Sequence, residues 1–462
     1  MNNTKYKGLD LLVRLLGVFV VFAGVAFAYL DPSTGSLLLS SLVAIFASVI
    51  FFIKNVFYKI FSLVRGGGNR LSQLKEYYSL VFYSEGKQYY GVFKPILDCL
   101  DSHNYGYLFL TSDKEDPALK RDVKNAKFRY IGKGNKAFYA LNTLQAEVVV
   151  LTTPGLDVLQ IKRSKKVLHY CHIVHSLGSP NYRVFGMDYF DSILVNSKMQ
   201  EEFIRKIEEA HQQPQKRIFN VGSTYCDELF REKLTISQNK RYFFKNQDKD
   251  IVLLSPSWGK EAILSKYGMK IIQPLIDSCY LLIIRPHPQS LISEKEVIDR
   301  LMKQTQAYQN VTWDIGKSNL YAMQESVLMI SDFSGIIFDY LCLYQKPVLT
   351  IDFDFDHSGY DSADTGGIWE FDILDSIGKR IRPQDFEKIS EIIQATLASS
   401  INQNILEEIK TLLWSYPQKS GVMASKILID LCEEALQKRL ESKQFYMQKL
   451  LEVSQVKGKF NE

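Results

Sequence analysis

The sequence predicts an α/β fold of two facing, doubly wound (Rossmann-like) domains preceded by a transmembrane helical hairpin. Short aliphatic runs alternate with amphipathic segments in two successive series, and this alternation is typical of βαβ units in a mainly parallel sheet. A charged, turn-rich stretch at 231–250 separates the two series. Two apolar runs come before both of them.

Composition narrows the class of protein. The chain has 462 residues, of which 46% are hydrophobic and 23% charged, as in globular proteins of more than one domain. The net charge of +5 is spread without a basic block, so we expect no nucleic-acid partner. The six cysteines include no CxxC pair, which argues against a zinc site or a disulfide scaffold and favours a reducing compartment.

The first 65 residues are predicted to form the hairpin, with spans at about 15–30 and 36–53 and a turn-forming segment between them. Each span has roughly 16–18 residues, at the short end of what crosses a bilayer core. Basic residues precede the first span and follow the second, whereas the connecting loop carries only Asp31. The positive-inside rule therefore predicts a multi-pass cell-membrane protein with everything after residue 54 on the cytoplasmic side.

Two other interpretations of the N-terminus remain open. Lys5 and Lys7 followed by an apolar run and a small-residue site at 26–28 are also compatible with a cleaved signal peptide. The shortness of both runs is also compatible with a re-entrant or interfacial hairpin.

The aliphatic runs give the expected strands and domains. The expected strands are 80–83, 107–110, 148–151, 192–195, 218–221, 251–254, 280–284, 327–330 and 348–351. The expected domains are an N-terminal Rossmann-like domain at 70–225, a C-terminal Rossmann-like domain at 226–425 and a polar C-terminal helix at 426–462.

Polar residues follow the predicted strand at 218–221 and the predicted strands of the second series. Open α/β sheets bind ligands beyond the carboxyl ends of their strands, so these residues are candidates for substrate binding. They are Gly222, Ser223, Ser257, Trp258, Arg285, His287, Ser331, Asp332, Ser334 and Gly335.

These candidates have specific chemistry. The 331–335 segment is a hydroxyl- and glycine-bearing loop that opens a helix, which is typical of a phosphate site. Arg285 and His287, stiffened by prolines, form a rigid cationic loop, and Trp258 is suited to covering a base or ribose. The alternative in each case is structural: an N-cap, a proline turn, or a packing residue.

Three histidines stand at a spacing of three: His169, His172 and His175. Because the surrounding residues favour a strand, His169 and His175 are expected on one face and His172 on the other, so we expect no metal site. His175 stands before a Gly/Ser/Pro loop, where a general base for an acceptor hydroxyl could act.

The motifs in this order resemble the CDP-glycerol glycerophosphotransferase family of teichoic-acid-type polymerases and primases. The matching segments are 175–180, 221–223, 255–258, 285–288, 331–339 and 345–348. The resemblance covers about residues 150–390 and implies a GT-B fold, with the acceptor bound by the first Rossmann-like domain and the donor by the second. It also implies His175 as the base, His287 as a donor pyrophosphate contact and Ser334 in the phosphate-binding turn. The chain departs from the family pattern at Ser176, where glycine usually follows the histidine, and at Gly335, where a second hydroxyl is common.

The leading hypothesis is a membrane-anchored transferase that moves glycerol phosphate, or a related polyol phosphate, from a CDP-activated donor to a membrane-linked cell-envelope polymer and releases CMP. Its catalytic residues would be His175 and His287. Its partners would be the nucleotide donor, a lipid-linked or envelope glycan acceptor and the membrane, with no cofactor. Two alternatives are a glycosyltransferase that uses a nucleotide sugar in capsule or lipopolysaccharide synthesis, and a non-catalytic membrane scaffold that binds a nucleotide-linked precursor.

Overall fold

A computed structural model describes residues 76–460 except 184, 237–240, 246, 317, 353–356, 371–372, 375–377 and 400–402. The predicted membrane hairpin lies outside these residues. Among the described helices, none combines the length and the apolar character needed to cross a bilayer.

The first sheet consists of seven parallel strands. They are β1 (Tyr78–Ser84), β2 (Tyr107–Thr111), β3 (Ala126–Tyr130), β4 (Ala146–Leu151), β5 (Val167–Ile173), β6 (Ser192–Val195) and β7 (Arg217–Asn220), in the spatial order β3-β2-β1-β4-β5-β6-β7. The chain runs outward from β1 to β3 and then returns to the other side of β1. Ligand crevices open at such a reversal, beyond the carboxyl ends of the two central strands.

The second sheet repeats this order with six parallel strands. They are β8 (Ile251–Leu254), β9 (Leu281–Ile284), β10 (Val311–Trp313), β11 (Ser326–Ser331), β12 (Val348–Ile351) and β13 (Gly378–Ile381), in the order β10-β9-β8-β11-β12-β13. The reversal lies between β8 and β11. The loops that follow β8, β9 and β11 therefore surround one crevice, and these loops carry most of the predicted substrate-binding residues.

Helices cover both faces of each sheet. In chain order the described α-helices are α1 (Tyr90–Ser102), α2 (Asn135–Asn142), α3 (Lys198–Ala210), α4 (Thr224–Thr235), α5 (Ile263–Lys266), α6 (Met269–Ile276), α7 (Ser290–Ser293), α8 (Lys295–Thr305), α9 (Leu320–Glu325), α10 (Ile336–Tyr344), α11 (Ile389–Ala398), α12 (Gln403–Leu413) and α13 (Ser420–Phe460).

The central strands are mostly apolar because both of their faces are covered. Side chains alternate along a strand, so Leu80 and Phe82 of β1 enter one core layer while Val81 and Tyr83 enter the other. In β8 the even- and odd-numbered residues divide between two layers in the same way. Burying each large apolar side chain contributes about 1.5–3 kcal/mol to the stability of the fold.

The C-terminal helix belongs to the core of the first sheet. Helix α13 begins at Ser420, six residues earlier than the predicted boundary at 426, and it packs on α1 and β4. Its buried side chains join those of β1 and β2 in one apolar cluster; they are Ala424, Leu428, Leu431 and Cys432. The chain therefore crosses from the second sheet back to the first at 414–420.

Asp227 of α4 fixes this crossing. Its fully buried carboxylate accepts hydrogen bonds from Trp414 Nε1 at 3.0 Å, from the backbone N–H of Gln418 at 2.7 Å and from that of Ser420 at 2.9 Å. Hydrogen bonds to a charged group are stronger than neutral ones, so three of them on one buried carboxylate form a firm attachment.

Three strands were not expected from the sequence: β3, β10 and β13. Each of them lies at an edge of its sheet, and each is short or carries charged residues. Edge strands are commonly short and charged, which hides them from a search for apolar runs.

Candidate active site

His175 lies two residues beyond the end of β5 between two tyrosines. Its ring centre is 5.1 Å from that of Tyr89 in an edge-on arrangement and 6.4 Å from that of Tyr182 in a stacked one. Burial lowers the pKa of His175 to about 4, so the imidazole is neutral at pH 7. Its Nδ1 is buried and has no hydrogen-bond partner in the described part of the chain.

The other two histidines of the triplet are held by structural contacts. His172 is fully buried and its Nε2 lies 3.1 Å from Tyr182 Oη, and His169 Nε2 lies 2.7 Å from Ser192 Oγ. The expectation that His175 shares a face with His169 is wrong because the strand ends at Ile173, and His175 instead shares the ring of Tyr182 with His172. No group of three potential metal ligands was found in the residues that the structure describes.

The loop after β9 places His287 beside Trp258. The two rings are stacked with their centres 6.3 Å apart, and Trp258 is 48% exposed. His287 Nδ1 accepts a hydrogen bond of 3.1 Å from the backbone N–H of Gln289, and burial lowers its pKa. The neutral ring therefore carries its proton on Nε2, which can donate to an anion.

The guanidinium group of Arg285 is bound by other groups of the protein. Its Nη1 lies 2.5 Å from a carboxylate oxygen of Asp314 and its Nη2 donates to the carbonyl of Gly316 at 3.1 Å. Arg285 was expected to meet a phosphate directly as one of a rigid cation pair. In the structure its charge is matched by Asp314, and the side chain ties the His287 loop to the loop after β10.

The turn after β11 begins with two buried residues, Ser331 and Asp332, that hydrogen-bond to neighbouring backbone groups. Asp332 is almost completely buried and accepts from the backbone N–H groups of Ser257 at 2.8 Å and Ile263 at 3.1 Å, and burial raises its pKa to about 6. The Ser331 hydroxyl donates to the carbonyl of Ser255 at 2.6 Å. These two predicted substrate-binding residues shape the loop that carries Ser257 and Trp258.

Ser334 and Gly335 stand at the start of α10. The first N–H groups of a helix have no partner within it and carry the positive end of the helix dipole. A Cβ atom added to Gly335 would meet nothing within 4 Å, so space is open in front of this turn. The geometry suits the binding of a phosphate group.

Gly222 and Ser223 have structural partners. The Ser223 hydroxyl caps α4 by accepting from the backbone N–H of Cys226 at 3.1 Å. Gly222 has a φ of +81°, and a Cβ there would overlap the carbonyl oxygen of Ser415 in the crossing segment. Both residues therefore support the crossing between the sheets, which is the structural alternative to phosphate binding.

Tyr225 links the two halves of the site. Its ring lies 3.3 Å from the position of a Cβ built on Gly91, at the start of α1. Burial and then the charge of Asp339 raise the pKa of its hydroxyl, whereas Arg285 opposes the rise. Tyr225 thus stands between the helix that follows Tyr89 and the charged residues of the second sheet.

Comparison with known proteins identifies the family. The model of the CDP-glycerol:poly(glycerophosphate) glycerophosphotransferase family matches residues 70–372. The chain belongs to this family. It is accordingly a transferase of the CDP-glycerol glycerophosphotransferase type, as the motifs indicated.

Solved structures share the fold of this glycerophosphotransferase. The wall teichoic acid polymerase TagF has 18% sequence identity, a TM-score of 0.52, and a match over 86% of this chain and 99% of that one. A UDP-GlcNAc 2-epimerase from Methanocaldococcus jannaschii has 14% identity, a TM-score of 0.51, and coverage of 77% and 99%. A search of curated proteins gave no match. At these identities the likeness shows the fold alone: an α/β architecture with two parallel sheets, consistent with Rossmann-like domains of the GT-B kind.

Sequence reasoning missed several residues of the site in this glycerophosphotransferase. Tyr89 and Tyr182 flank His175 but lie 86 and seven residues from it in sequence. Glu370, in the second half of the chain, belongs to none of the motifs recognised in the sequence. Asp339 lies within the matching segment 331–339, and the local sequence predicts no separate role for it. Burial raises its pKa to about 7, and it lies one turn into α10. A buried carboxylate just after a phosphate-type turn was the one usable signal.

Proposed function

We propose that this protein transfers glycerol phosphate from CDP-glycerol to a hydroxyl at the end of a membrane-linked, teichoic-acid-type polymer, with release of CMP. Two observations carry the proposal: a neutral, desolvated His175 follows a strand of the first sheet, and an open helix N-terminus and His287 follow strands β11 and β9 of the second. Phosphoryl transfer depends mainly on positioning and on charge neutralisation, which this arrangement can supply.

In the proposed reaction, the acceptor hydroxyl oxygen attacks the β-phosphorus of CDP-glycerol. The proton of that hydroxyl passes to a ring nitrogen of His175, and the bond between the β-phosphorus and the bridging oxygen breaks. CMP leaves with the bridging oxygen, and the glycerol phosphate is joined to the polymer through a phosphodiester.

His175 is a weak base while its surroundings are empty of charge, because burial disfavours its protonated form. A bound diphosphate brings negative charge into the cleft, and negative charge favours the imidazolium. Donor binding would therefore raise the pKa of His175 toward the range in which a base is most effective.

The second domain would hold the donor. The N–H groups at the start of α10 and the Ser334 hydroxyl would bind the β-phosphate, while His287 Nε2 donates to an oxygen of the same diphosphate. Trp258, half exposed beside His287, would cover the cytosine ring or the ribose. Arg285, paired with Asp314, would position the His287 loop and so act on the donor indirectly.

The donor is tested by the nucleotide that is released. Purified full-length protein with a synthetic lipid-linked glycerol phosphate primer would be incubated in turn with CDP-glycerol, CDP-ribitol, UDP-sugars and GDP-sugars. Release of CMP from a CDP-polyol supports the proposal. Release of UDP or GDP would favour a nucleotide-sugar glycosyltransferase, and no release from any donor would favour a non-catalytic scaffold.

The base is tested by His175→Ala. We expect turnover to fall by about 10²–10⁴-fold, the range typical of a general base, with donor binding nearly unchanged. His103→Ala is the matched control because His103 is exposed at the end of α1. A normally folded His175→Ala protein with wild-type turnover would refute the assignment.

We also propose that the N-terminal hairpin anchors the enzyme with both catalytic domains on the cytoplasmic side. The support is the distribution of basic residues around the two apolar runs. The test is labelling of intact cells by a membrane-impermeant thiol reagent, with Asp31→Cys and Ser72→Cys placed separately in a Cys279→Ser background, since Cys279 is exposed. We expect labelling at position 31 alone; labelling at position 72 would contradict the proposed topology.

A further inference from the structure

The loop that follows His175 is fixed by the first domain on one side. Asn196 Nδ2 donates to the carbonyl of Ser176 at 2.5 Å, and Gln200 Nε2 donates to the carbonyls of Ser176 at 2.8 Å and Gly178 at 2.6 Å. Gln200 is itself fully buried, and its amide oxygen accepts from the backbone N–H of Asn196 at 2.8 Å. These contacts secure the first half of the loop.

The other side of the loop is fixed from the second half of the chain. The Glu370 carboxylate accepts hydrogen bonds from both the backbone N–H and the hydroxyl of Ser179. Glu370 is only 9% exposed, so both bonds are shielded from water. A Cβ at Gly178 would lie 2.7 Å from the nearer carboxylate oxygen, which shows how closely the two segments approach.

The segment of the second half that contains Glu370 also hydrogen-bonds to the chain at Tyr182, the residue whose ring stacks on His175. The carbonyl of Tyr182 accepts from the backbone N–H of Asp361 at 2.9 Å, and Asn181 Oδ1 accepts from the backbone N–H of Ser362 at 2.9 Å. Residues 357–370 therefore contact both the loop that follows His175 and the aromatic ring beside it.

We propose that Glu370 is a positioning residue for the transfer reaction: it fixes the loop of His175 from the opposite domain, so that the base is held in place only while the domains are in contact. The inference rests on the proposed function, in which His175 is the base. Two hydrogen bonds from one serine to the Glu370 carboxylate allow little displacement of the His175 loop, because hydrogen bonds weaken steeply with distance and angle. A displacement of about 1 Å in a catalytic group can lower the rate about 100-fold.

The test compares Glu370→Ala with Glu370→Gln. Alanine removes both acceptors, so we expect kcat to fall by about 10–100-fold while the KM for CDP-glycerol changes by less than about threefold. Glutamine can still accept from the Ser179 N–H, and its amide can donate to the Ser179 hydroxyl, so we expect kcat within about threefold of the wild type. Glu391→Ala, an exposed glutamate on α11, is the matched control and should not change either constant.

Ser179→Ala completes a double-mutant cycle. If Glu370 acts through Ser179, the two substitutions together should lower kcat no further than Glu370→Ala alone. This milder variant also retains the bond to the backbone N–H, so it remains informative if Glu370→Ala does not fold.

The outcomes separate the two proposals. An active wild type whose kcat is unchanged by Glu370→Ala would overturn the positioning role and leave the proposed function intact. Additive losses in the double variant, or a loss expressed in KM rather than kcat, would also overturn it. A wild type that releases no CMP from CDP-glycerol would overturn the proposed function and, with it, the role of Glu370.

Discussion

Replacing Asp227 should detach the chain crossing between the two sheets. The carboxylate accepts three hydrogen bonds, from Trp414 Nε1, Gln418 N–H and Ser420 N–H. Asp227→Ala leaves these donors without their acceptor, and each buried unsatisfied donor costs about 1–3 kcal/mol. Removing a buried charge returns part of this loss, so we expect the free energy of unfolding to fall by about 3–6 kcal/mol.

Asp227→Asn should cost less. Two of the three donors bind the same oxygen, Oδ1, and an asparagine can keep that oxygen in place while its amino group faces the N–H of Ser420. One bond is lost, so we expect a loss of about 1–3 kcal/mol. Urea unfolding followed by tryptophan fluorescence measures both variants, because Trp414 is one of the side chains released.

Asp430→Ala is the control for this series, since Asp430 lies on the exposed side of α13. Surface substitutions of this kind usually change stability by less than about 0.5 kcal/mol. The reasoning would be refuted if Asp227→Ala cost less than about 1 kcal/mol, or if the asparagine variant were the less stable of the two.

Two further predictions concern donor binding and pH. The glutamine of His287→Gln keeps a hydrogen-bond donor near the position of Nε2, whereas the asparagine of His287→Asn does not. We therefore expect kcat/KM for CDP-glycerol to fall about 10–100-fold in the asparagine variant and less in the glutamine variant. Equal losses would contradict donation from Nε2. Burial and the nearby charges of Asp188 and Asp364 raise the pKa of Asp361 to about 7, and His211 opposes the rise. The contribution of Asp361 to the free energy of unfolding is therefore fully present below about pH 4 and is lost as the pH rises through 7. Asp361→Asn should therefore match the wild type in urea unfolding at pH 4 and exceed it by about 2–4 kcal/mol at pH 8, and a constant difference would contradict this.

The arrangement of the sheets followed from local patterns in the sequence. Strands β6, β8 and β12 begin and end at the predicted residues, because aliphatic runs buried on both faces are bounded by polar turns. The edge strands escaped prediction since a sheet edge needs few apolar residues. Strand β3, for example, reads Ala-Lys-Phe-Arg-Tyr.

The candidate site was predictable only in part. His175, His287 and the 331–335 turn follow strand ends, where topology alone directs attention. The individual roles depend on tertiary contacts that no local pattern contains: Arg285 is matched by Asp314, and Asp332 binds backbone groups about 70 residues earlier in the chain. Glu370 escaped notice for the same reason, since its partner Ser179 lies 191 residues away.

The return of α13 to the first sheet makes that domain discontinuous along the polypeptide. A fragment that ends near residue 225 would leave the surface of α1 and β4 without the apolar side chains of α13, such as Leu428 and Leu431. We expect such a fragment to aggregate when expressed alone, whereas one in which 415–460 is fused back by a flexible linker should be soluble. A soluble, monomeric fragment ending at 225 would show that the returning helix is dispensable.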